Sequence, residues 1–236
     1  MGILNETYQL ANGISIPRLG LGTWLMDDAE AKGAVIDAVK CGYRMIDTAQ
    51  AYGNETGVGE GIRACGVPRE QLFVASKVAA EHKTYEAAKA SIDETLEKMG
   101  LSYLDQMIIH SPQPWVEVNQ ILLHISNTPL ELVEYFQKKG IAVEAYSPIA
   151  HGEILHRPEI ASMAEKYGVS VPQLCIRYTL QLGAISLPKT GNPEHMKTNA
   201  DVDFEISAED MEVLKNFKHI ESYGESSGFP VYGGKL

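Results

Sequence analysis

Residues 43–55 read YRMIDTAQAYGNE, and this stretch decides the fold. A short apolar run, 43–49, carries Asp47 near its end and is followed by turn residues. A run with helical spacing, 57–65, comes next. The same order of apolar strand, polar strand end and amphipathic helix returns at 72–99. Strands that alternate with helices in this way are typical of a parallel sheet with crossover helices.

The alternation continues in both directions from this stretch. Upstream, the Asn12-Gly13 turn between two short alternating runs predicts an N-terminal β-hairpin. The other predicted strands are 18–24, 104–110, 117–123, 141–148 and 184–188, and the other predicted helices are 29–41, 85–99, 129–139, 160–167, 171–182 and two that begin at Pro193 and Ala208. No linker divides the chain, so we predict a single domain over 1–236. Seven such strands are one short of a (β/α)8 TIM barrel, and a Rossmann sheet is disfavoured because Gly20-Leu21-Gly22 matches GxGxxG poorly.

One junction is too short for parallel neighbours. About six residues separate the strand that ends at His110 from the strand that begins near Glu117. A parallel crossover needs a dozen or more residues, and six extended residues reach about 20 Å at most. Either these two strands are antiparallel or a segment is missing, and we favour a missing segment.

Composition and charge narrow the class of protein. A hydrophobic content of 44% and a charged content of 22% are typical of a globular protein. The formal net charge of −11 disfavours nucleic acid or an anionic membrane as the main partner. Cys41, Cys65 and Cys175 lack the spacing of a disulfide framework or a zinc site, so we predict no metal. Neither a signal peptide nor a membrane span is evident, and we predict a cytoplasmic location.

Polar side chains concentrate at the carboxyl ends of the predicted strands, where a TIM barrel builds its active site. In chain order they are Thr23 with Trp24, Asp47, Lys77, His110, Gln120, Tyr146 with Ser147, and Lys189 with Thr190. Tyr52 follows Asp47 on the next loop. A lone Asp or Lys at a strand end is usually a solvated rim residue, but several of them with a tyrosine favour a catalytic site.

These residues resemble the motifs of the aldo-keto reductase family. Asp47–Glu55 (DTAQAYGNE) resembles its first signature, Ser76-Lys77 its lysine motif, and Ile108–Pro112 (IIHSP) its histidine strand. Later matches are 118–120 (VNQ), 145–148 (AYSP) and 187–190 (LPKT). The resemblance extends from the hairpin to the C-terminal tail, with one interruption.

The resemblance implies a (β/α)8 barrel that binds NADPH and reduces an aldehyde, ketone or dicarbonyl. The catalytic residues that it implies are Asp47, Tyr52, Lys77 and His110, here called the tetrad. Hydride addition builds negative charge on the carbonyl oxygen, so a proton donor and positive surroundings are needed. Tyr52 is the expected general acid, with Lys77 lowering its pKa from the ordinary value of about 10. Asp47 is expected to hold Lys77, and His110 to orient the carbonyl.

The resemblance also implies a set of cofactor and substrate contacts. The expected cofactor contacts are Gly22, Thr23 and Asp47 near the nicotinamide and its ribose, Gln120 at the carboxamide, Tyr146 against the ring, Ser147 and Ile149 below the pyrophosphate, and Lys189, Thr190, His195 and Asn199 around the 2′-phosphate and adenine. The expected walls of the substrate pocket are Trp24, Tyr52, His110 and Trp115.

Two positions near the expected 2′-phosphate depart from the family pattern. His195 stands where the family usually has an arginine, and it is only partly charged near neutral pH and cannot form a bidentate fork. Thr198 replaces a frequent glutamate. NADPH remains the prediction because Lys189 is present, with a margin over NADH that the sequence leaves open.

The largest departure is the interruption between Trp115 and Val116. Family members have there a helix, the fifth strand and another helix, and that strand carries a Ser-Asn pair for the nicotinamide carboxamide. We therefore predict a barrel that lacks its fifth β/α unit, with the gap at about residues 115/116. The gap is either a true deletion or a segment that the protein contains and this sequence omits. We favour the second, because a deletion would expose barrel edges on both sides.

Several functions follow from these alternatives. The main prediction is an NADP-dependent reductase of a small-molecule carbonyl, active as a monomer. A non-catalytic cofactor-binding module is the second, and an inactive barrel fragment is the third if the deletion is real. A metal-dependent hydrolase is the weakest, because clusters of His and carboxylates at strand ends are absent from the sequence.

Overall fold

The computed structural model describes residues 2–10, 12–110, 118–220, 222, 223 and 226. The chain begins with the predicted antiparallel hairpin, β1 (Thr7–Gln9) and β2 (Ser15–Pro17). Tyr8 lies opposite Ile16 in its register, and Ile16 is fully buried. The hairpin therefore places one apolar side chain under the strands that follow.

The parallel strands form in the predicted order, although most are shorter than the apolar runs that predict them. They are β3 (Leu21–Gly22), β4 (Met45–Asp47), β5 (Phe73–Val78), β6 (Gln106–Ile109), β7 (Val118–Leu122), β8 (Ala142–Tyr146) and β9 (Ile185–Leu187). Strands β3 to β6 pair in chain order, as do β7 to β9. Parallel bridges from Leu19 to Ser186 and from Gly22 to Lys189 join β9 to β3. The wall therefore begins at β7 and ends at β6.

The gap in the wall lies where the sequence predicts it. Across the described residues, β6 and β7 have no ladder pairing with one another, although both flank the short junction. Each of the other neighbouring strands is paired or bridged. The predicted junction itself, including Trp115, lies outside the described residues.

The helices begin and end at local signals in the sequence. They are α1 (Asp28–Lys40), α2 (Glu55–Ala64), α3 (Tyr85–Met99), α4 (Leu130–Lys138), α5 (Pro158–Lys166), α6 (Val171–Gln181), α7 (Pro193–Ala200) and α8 (Ala208–Lys215). Asp27 and Glu30 form a capping box at the start of α1, and Ser170 and Gln173 form another at α6. None of the helices in the described ranges is long and apolar enough to cross a lipid bilayer.

The strands divide their side chains between two apolar layers. Ile46 and Val74 belong to a buried cluster that also contains α1 and α2 residues. Their neighbours Met45 and Phe73 form a second cluster with Ile16 under the barrel interior. Side chains alternate along a strand, so Asp47 extends this inward series toward the strand ends. The inward face thus changes from apolar to polar toward the carboxyl ends.

Helix α2 is held unusually close to its two neighbours. A Cβ at Gly57 would lie 2.0 Å from the backbone oxygen of Asp28, and one at Gly59 would lie 2.1 Å from that of Met99. Only glycine permits these approaches, which bring α2 against the start of α1 and the end of α3. The loop that carries Tyr52 leads directly into α2, so the packing of α2 fixes the position of the C-terminal end of this loop.

Candidate active site

The centre of the site is a buried ion pair between β4 and β5. The Nζ of Lys77 lies 2.8 Å and 2.9 Å from the two carboxylate oxygens of Asp47, and 2.8 Å from the backbone oxygen of Thr48. Lys77 is 1% exposed and Asp47 is 4% exposed. Burial alone would lower the pKa of Lys77, but Asp47, followed by Tyr52, raises it above its ordinary value. The ammonium is therefore charged at neutral pH.

Tyr52 reaches this ammonium from the loop after β4. It ends a 3-10 turn, Gln50–Tyr52, and Gly53 follows in the left-handed region with a φ of 68°. Its hydroxyl lies 3.3 Å from the Nζ of Lys77. Burial raises the pKa of Tyr52, Lys77 lowers it only in part, and Asp47 raises it further. The net direction is upward, which differs from the predicted lowering because burial outweighs the single neighbouring ammonium.

His110 lies beside Tyr52 at the end of β6. The two rings meet edge to face, with centroids 5.8 Å apart and an interplanar angle of 77°. Burial, and after it the charge of Lys77, lowers the pKa of His110. Its imidazole is therefore neutral near pH 7 and can donate one hydrogen bond from a ring nitrogen. The structure thus brings together all four tetrad residues that the sequence singles out.

Two side chains of the Tyr52 loop brace it against its surroundings, and the sequence analysis missed their roles. The Nδ2 of Asn54 donates to the backbone oxygens of Thr23 and Met26. The Oε1 of Gln50 accepts a hydrogen bond from the backbone N–H of Ala79, two residues after Lys77. Both residues belong to the DTAQAYGNE motif. The motif therefore pointed to these residues but did not identify their hydrogen-bond partners.

The predicted nicotinamide-side residues surround the same carboxylate. The hydroxyl of Thr23 donates to the backbone oxygen of Asp47 at 3.0 Å, and Gly22 pairs with Asp47 between β3 and β4. The Nε2 of Gln120 lies 3.2 Å from Oδ2 of Asp47 and 3.1 Å from Oε2 of Glu144. Glu144 was not predicted as a site residue. The sequence feature that could have identified Glu144 is a charged residue inside an otherwise apolar strand, 141–146.

The loop after β8 carries three further predicted cofactor residues. Tyr146 ends the strand, Ser147 follows with a φ of 50°, and Ile149 is half-buried. The Oγ of Ser147 lies 3.0 Å from Nε2 of His151, whose ring packs edge to face on Trp24 at 5.2 Å. His151 was missed by the sequence analysis, because nothing local predicts that it joins Ser147 to Trp24.

The predicted phosphate and adenine residues follow β9. Lys189 is exposed and bridges to Gly22, and the hydroxyl of Thr190 accepts a hydrogen bond from the backbone N–H of Asn192. His195 and Asn199 lie one turn apart on α7, the first exposed and the second 4% exposed. The bridge at Gly22 links this group to the nicotinamide-side residues through one strand pair.

Comparison with known proteins bears on the family. The model of the aldo/keto reductase family matches residues 18–128 and, in a second match, 117–218. The chain belongs to the aldo/keto reductase family. A glyoxal reductase of Bacillus subtilis (strain 168) is 35% identical, over 94% of this chain and 96% of its own length. An aldo/keto reductase from Brucella melitensis, solved by crystallography, has a TM-score of 0.84 at 32% identity, covering 91% of this chain and 98% of its own. An aldo-keto reductase from Bombyx mori, solved with NADP, has a TM-score of 0.83 at 28% identity, covering 96% and 98%.

Membership of the aldo/keto reductase family confirms the predicted enzyme class, an NADP-dependent oxidoreductase that reduces carbonyls, and the predicted barrel. The same comparisons show that this chain is shorter than the part of its relative that it matches. The alignment with the Bacillus subtilis protein spans 264 positions, whereas 94% of 236 residues is about 222. About 40 aligned positions therefore have no counterpart in this chain, which is somewhat more than one β/α unit of a typical barrel.

Proposed function

We propose that this aldo/keto reductase reduces a small aldehyde, ketone or dicarbonyl with NADPH, and that Tyr52 is the general acid. The observation that carries the proposal is the contact of the Tyr52 hydroxyl with a buried, charged ammonium, 3.3 Å from Nζ of Lys77. An ammonium there stabilises the negative charge that remains on the phenolic oxygen after proton donation.

Each tetrad residue has a separate task in this proposal. Bound NADPH would supply the hydride to the carbonyl carbon. The carbonyl oxygen, as it gains negative charge, takes the proton of the Tyr52 hydroxyl. The pKa of Tyr52 lies above its ordinary value, so the phenol is protonated and ready to donate near neutral pH. The neutral imidazole of His110 donates a hydrogen bond to the same carbonyl oxygen, and Asp47 holds Lys77 in place.

The cofactor assignment rests on the exposed ammonium of Lys189 and on the relative solved with NADP. Lys189 and Thr190 would meet the 2′-phosphate, and His195 and Asn199 would lie along the adenosine. Gly22, Thr23 and Gln120 would meet the nicotinamide end, while Tyr146, Ser147 and Ile149 would lie along the ring and pyrophosphate. His195 offers less positive charge than the arginine that it replaces, so we expect a modest preference for NADPH over NADH.

The dicarbonyl class is the first substrate to test, because the chain resembles a glyoxal reductase. We expect Trp24, together with Tyr52 and His110, to form part of the substrate wall. We also propose a single-domain cytoplasmic monomer, and the three free cysteines accord with a reducing compartment. Size-exclusion chromatography with light scattering measures the oligomeric state directly.

The experiment that tests the proposal is Tyr52→Phe, with Tyr85→Phe as the matched control. Tyr85 is 77% exposed. We expect Tyr52→Phe to lower kcat for glyoxal by about 10²- to 10⁴-fold. The Kd of NADPH, measured by cofactor fluorescence, should stay unchanged. Tyr85→Phe should retain both.

Two outcomes would overturn the proposal in different ways. Turnover retained in Tyr52→Phe would remove the general acid from Tyr52. A wild-type protein that binds NADPH but reduces none of a panel of aldehydes, ketones and dicarbonyls would be a non-catalytic cofactor-binding module.

A further inference from the structure

We propose that Glu144 is a positioning residue that turns the side-chain amide of Gln120 so that its oxygen accepts a hydrogen bond from the carboxamide of the bound cofactor. This inference rests on the proposed function, because it concerns how the nicotinamide end is recognised. It adds one residue that neither the sequence motifs nor the tetrad includes.

Glu144 and Gln120 are direct partners in the β7–β8 ladder. Their Cα atoms are paired in the parallel register, and Nε2 of Gln120 lies 3.1 Å from Oε2 of Glu144. The same nitrogen lies 3.2 Å from Oδ2 of Asp47. Glu144 is 0% exposed, so its carboxyl group faces the barrel interior and not solvent. The amide of Gln120 is therefore held between two carboxyl groups on different strands.

These two neighbours decide which way the amide faces. Both carboxylate oxygens of Asp47 accept hydrogen bonds from the ammonium of Lys77, so Asp47 faces Gln120 as an acceptor. The NH2 group of Gln120 must point toward Asp47, and its second hydrogen is directed to Glu144. The amide oxygen then points away from both, and among the described residues it accepts no hydrogen bond. An open acceptor there matches the N–H donors of a carboxamide.

The cost of keeping a carboxyl group at this position supports a functional role. Burial, and after it the charge of Asp47, raises the pKa of Glu144 to about 7, and Gln120 and Lys77 offset this only in part. Oε1 of Glu144 has no hydrogen-bond partner among the described residues. Gln106 faces it from β6 and favours its charged form, yet its amide atoms lie outside hydrogen-bond geometry. Such unsatisfied buried groups are uncommon and call for an explanation.

The gap in the barrel bears on how many polar contacts the carboxamide of the cofactor receives besides Gln120. The family resemblance implies a Ser-Asn pair on the fifth strand that shares the carboxamide, and this sequence has no such strand. With a true deletion, a correctly turned Gln120 is the main expected polar contact of the carboxamide, and with the segment present it shares this contact with the Ser-Asn pair. Held by one carboxyl group instead of two, Gln120 would present its oxygen to the carboxamide in a less fixed direction.

The test compares two substitutions and two cofactors. Glu144→Gln keeps an acceptor oxygen for the amide of Gln120, whereas Glu144→Met keeps the volume but removes it. NADP carries a carboxamide with N–H donors, and its 3-acetylpyridine analogue carries a methyl ketone without them. The Kd of each is measured by fluorescence or calorimetry with the full chain.

We expect Glu144→Met to weaken NADP binding by about 5- to 10-fold, the size of one hydrogen bond, and to leave analogue binding unchanged. Glu144→Gln should behave like the wild type with both. An equal loss of both cofactors in Glu144→Met, or no loss of either, would overturn the proposal. Binding of 2′,5′-ADP, which lacks the nicotinamide, checks that each variant is folded. A wild type that binds none of these ligands would overturn the proposed function instead.

Discussion

At the residue scale, the buried pair of Lys77 and Asp47 costs more to break than any exposed pair of the molecule. Two charges removed from water are tolerated only when each is paired and hydrogen-bonded. Lys77 meets this condition with three oxygens, from the Asp47 carboxylate and the Thr48 backbone. A change at either member leaves the other as an uncompensated buried charge.

We expect Lys77→Met to lower the free energy of unfolding by about 3–5 kcal/mol, as measured by urea denaturation. The control is Lys32→Met, which breaks a pair with Glu60 whose members are about half-exposed. That change should cost less than about 1 kcal/mol. A similar cost for both variants would contradict the argument from burial.

Glu144 predicts a pH dependence of stability. Its pKa rises from 4.5 to about 7 on folding, so the folded state holds this proton more tightly than the unfolded state. The resulting stability is present at low pH and is lost as pH rises from 4.5 through about 7. The side-chain amide of Glu144→Gln cannot ionise, so this variant does not lose stability over the same pH range.

The variant Glu144→Gln should therefore gain stability relative to the wild type as the pH rises from about 5 to about 8, by on the order of 3 kcal/mol. Denaturation midpoints across this range measure the difference, with the exposed Glu165→Gln as the control. A difference that is independent of pH would show that Glu144 does not change its pKa on folding.

At the scale of elements, the glycines of α2 decide how closely the helices pack around the Tyr52 loop. Gly57 touches the start of α1 and Gly59 the end of α3, where a methyl group has no room. The helix is also the direct continuation of the catalytic loop through Asn54. Its position therefore affects both stability and the placement of Tyr52.

Gly59→Ala should destabilise the protein by about 1–3 kcal/mol or more through overpacking and lower kcat by displacing the loop. Gly33→Ala is the matched control, because Gly33 is an exposed position inside α1 with nothing within 4 Å of an added Cβ. That substitution should gain up to about 1 kcal/mol from helix propensity. Thermal denaturation measures the effect on stability, and steady-state kinetics on the same variants measure the effect on kcat. A Gly59→Ala variant as stable as the wild type would show that α2 can move away from α3 without a cost in stability.

At the scale of the whole molecule, the gap between β6 and β7 is the main departure from a closed barrel. The described strands on its two sides are unpaired with each other, and exposed strand edges favour association with other chains. About 40 positions of the alignment with the Bacillus subtilis relative have no counterpart in this chain. A complete barrel would cover both edges.

We expect the intact mass of the protein purified from its natural source to exceed 25.9 kDa by several kilodaltons, because we favour a segment that the protein contains and this sequence omits. Mass spectrometry and a glyoxal assay on the same sample test this. A mass equal to that of the 236 residues without turnover would establish a true deletion and an inactive barrel fragment.

The sequence by itself determined the order and type of the elements, and through the family resemblance it predicted which four residues form the tetrad. Periodicity and capping are local, and the DTAQAYGNE motif carries Asp47 and Tyr52 together, so both could be predicted without a structure. The short junction after His110 predicted the gap from chain length alone.

Only the tertiary structure decided the surroundings of those residues. The raised pKa of Tyr52, the carboxyl group of Glu144 beside Gln120, and the link from Ser147 through His151 to Trp24 all depend on burial and on contacts between distant strands. Strand β3 is shorter than the apolar run 18–24, and at the start of that run the backbone N–H of Arg18 bonds to Glu6, before the hairpin, and not to a parallel neighbour. Solvation and long-range pairing are set by the whole fold, and no local pattern in the sequence encodes them.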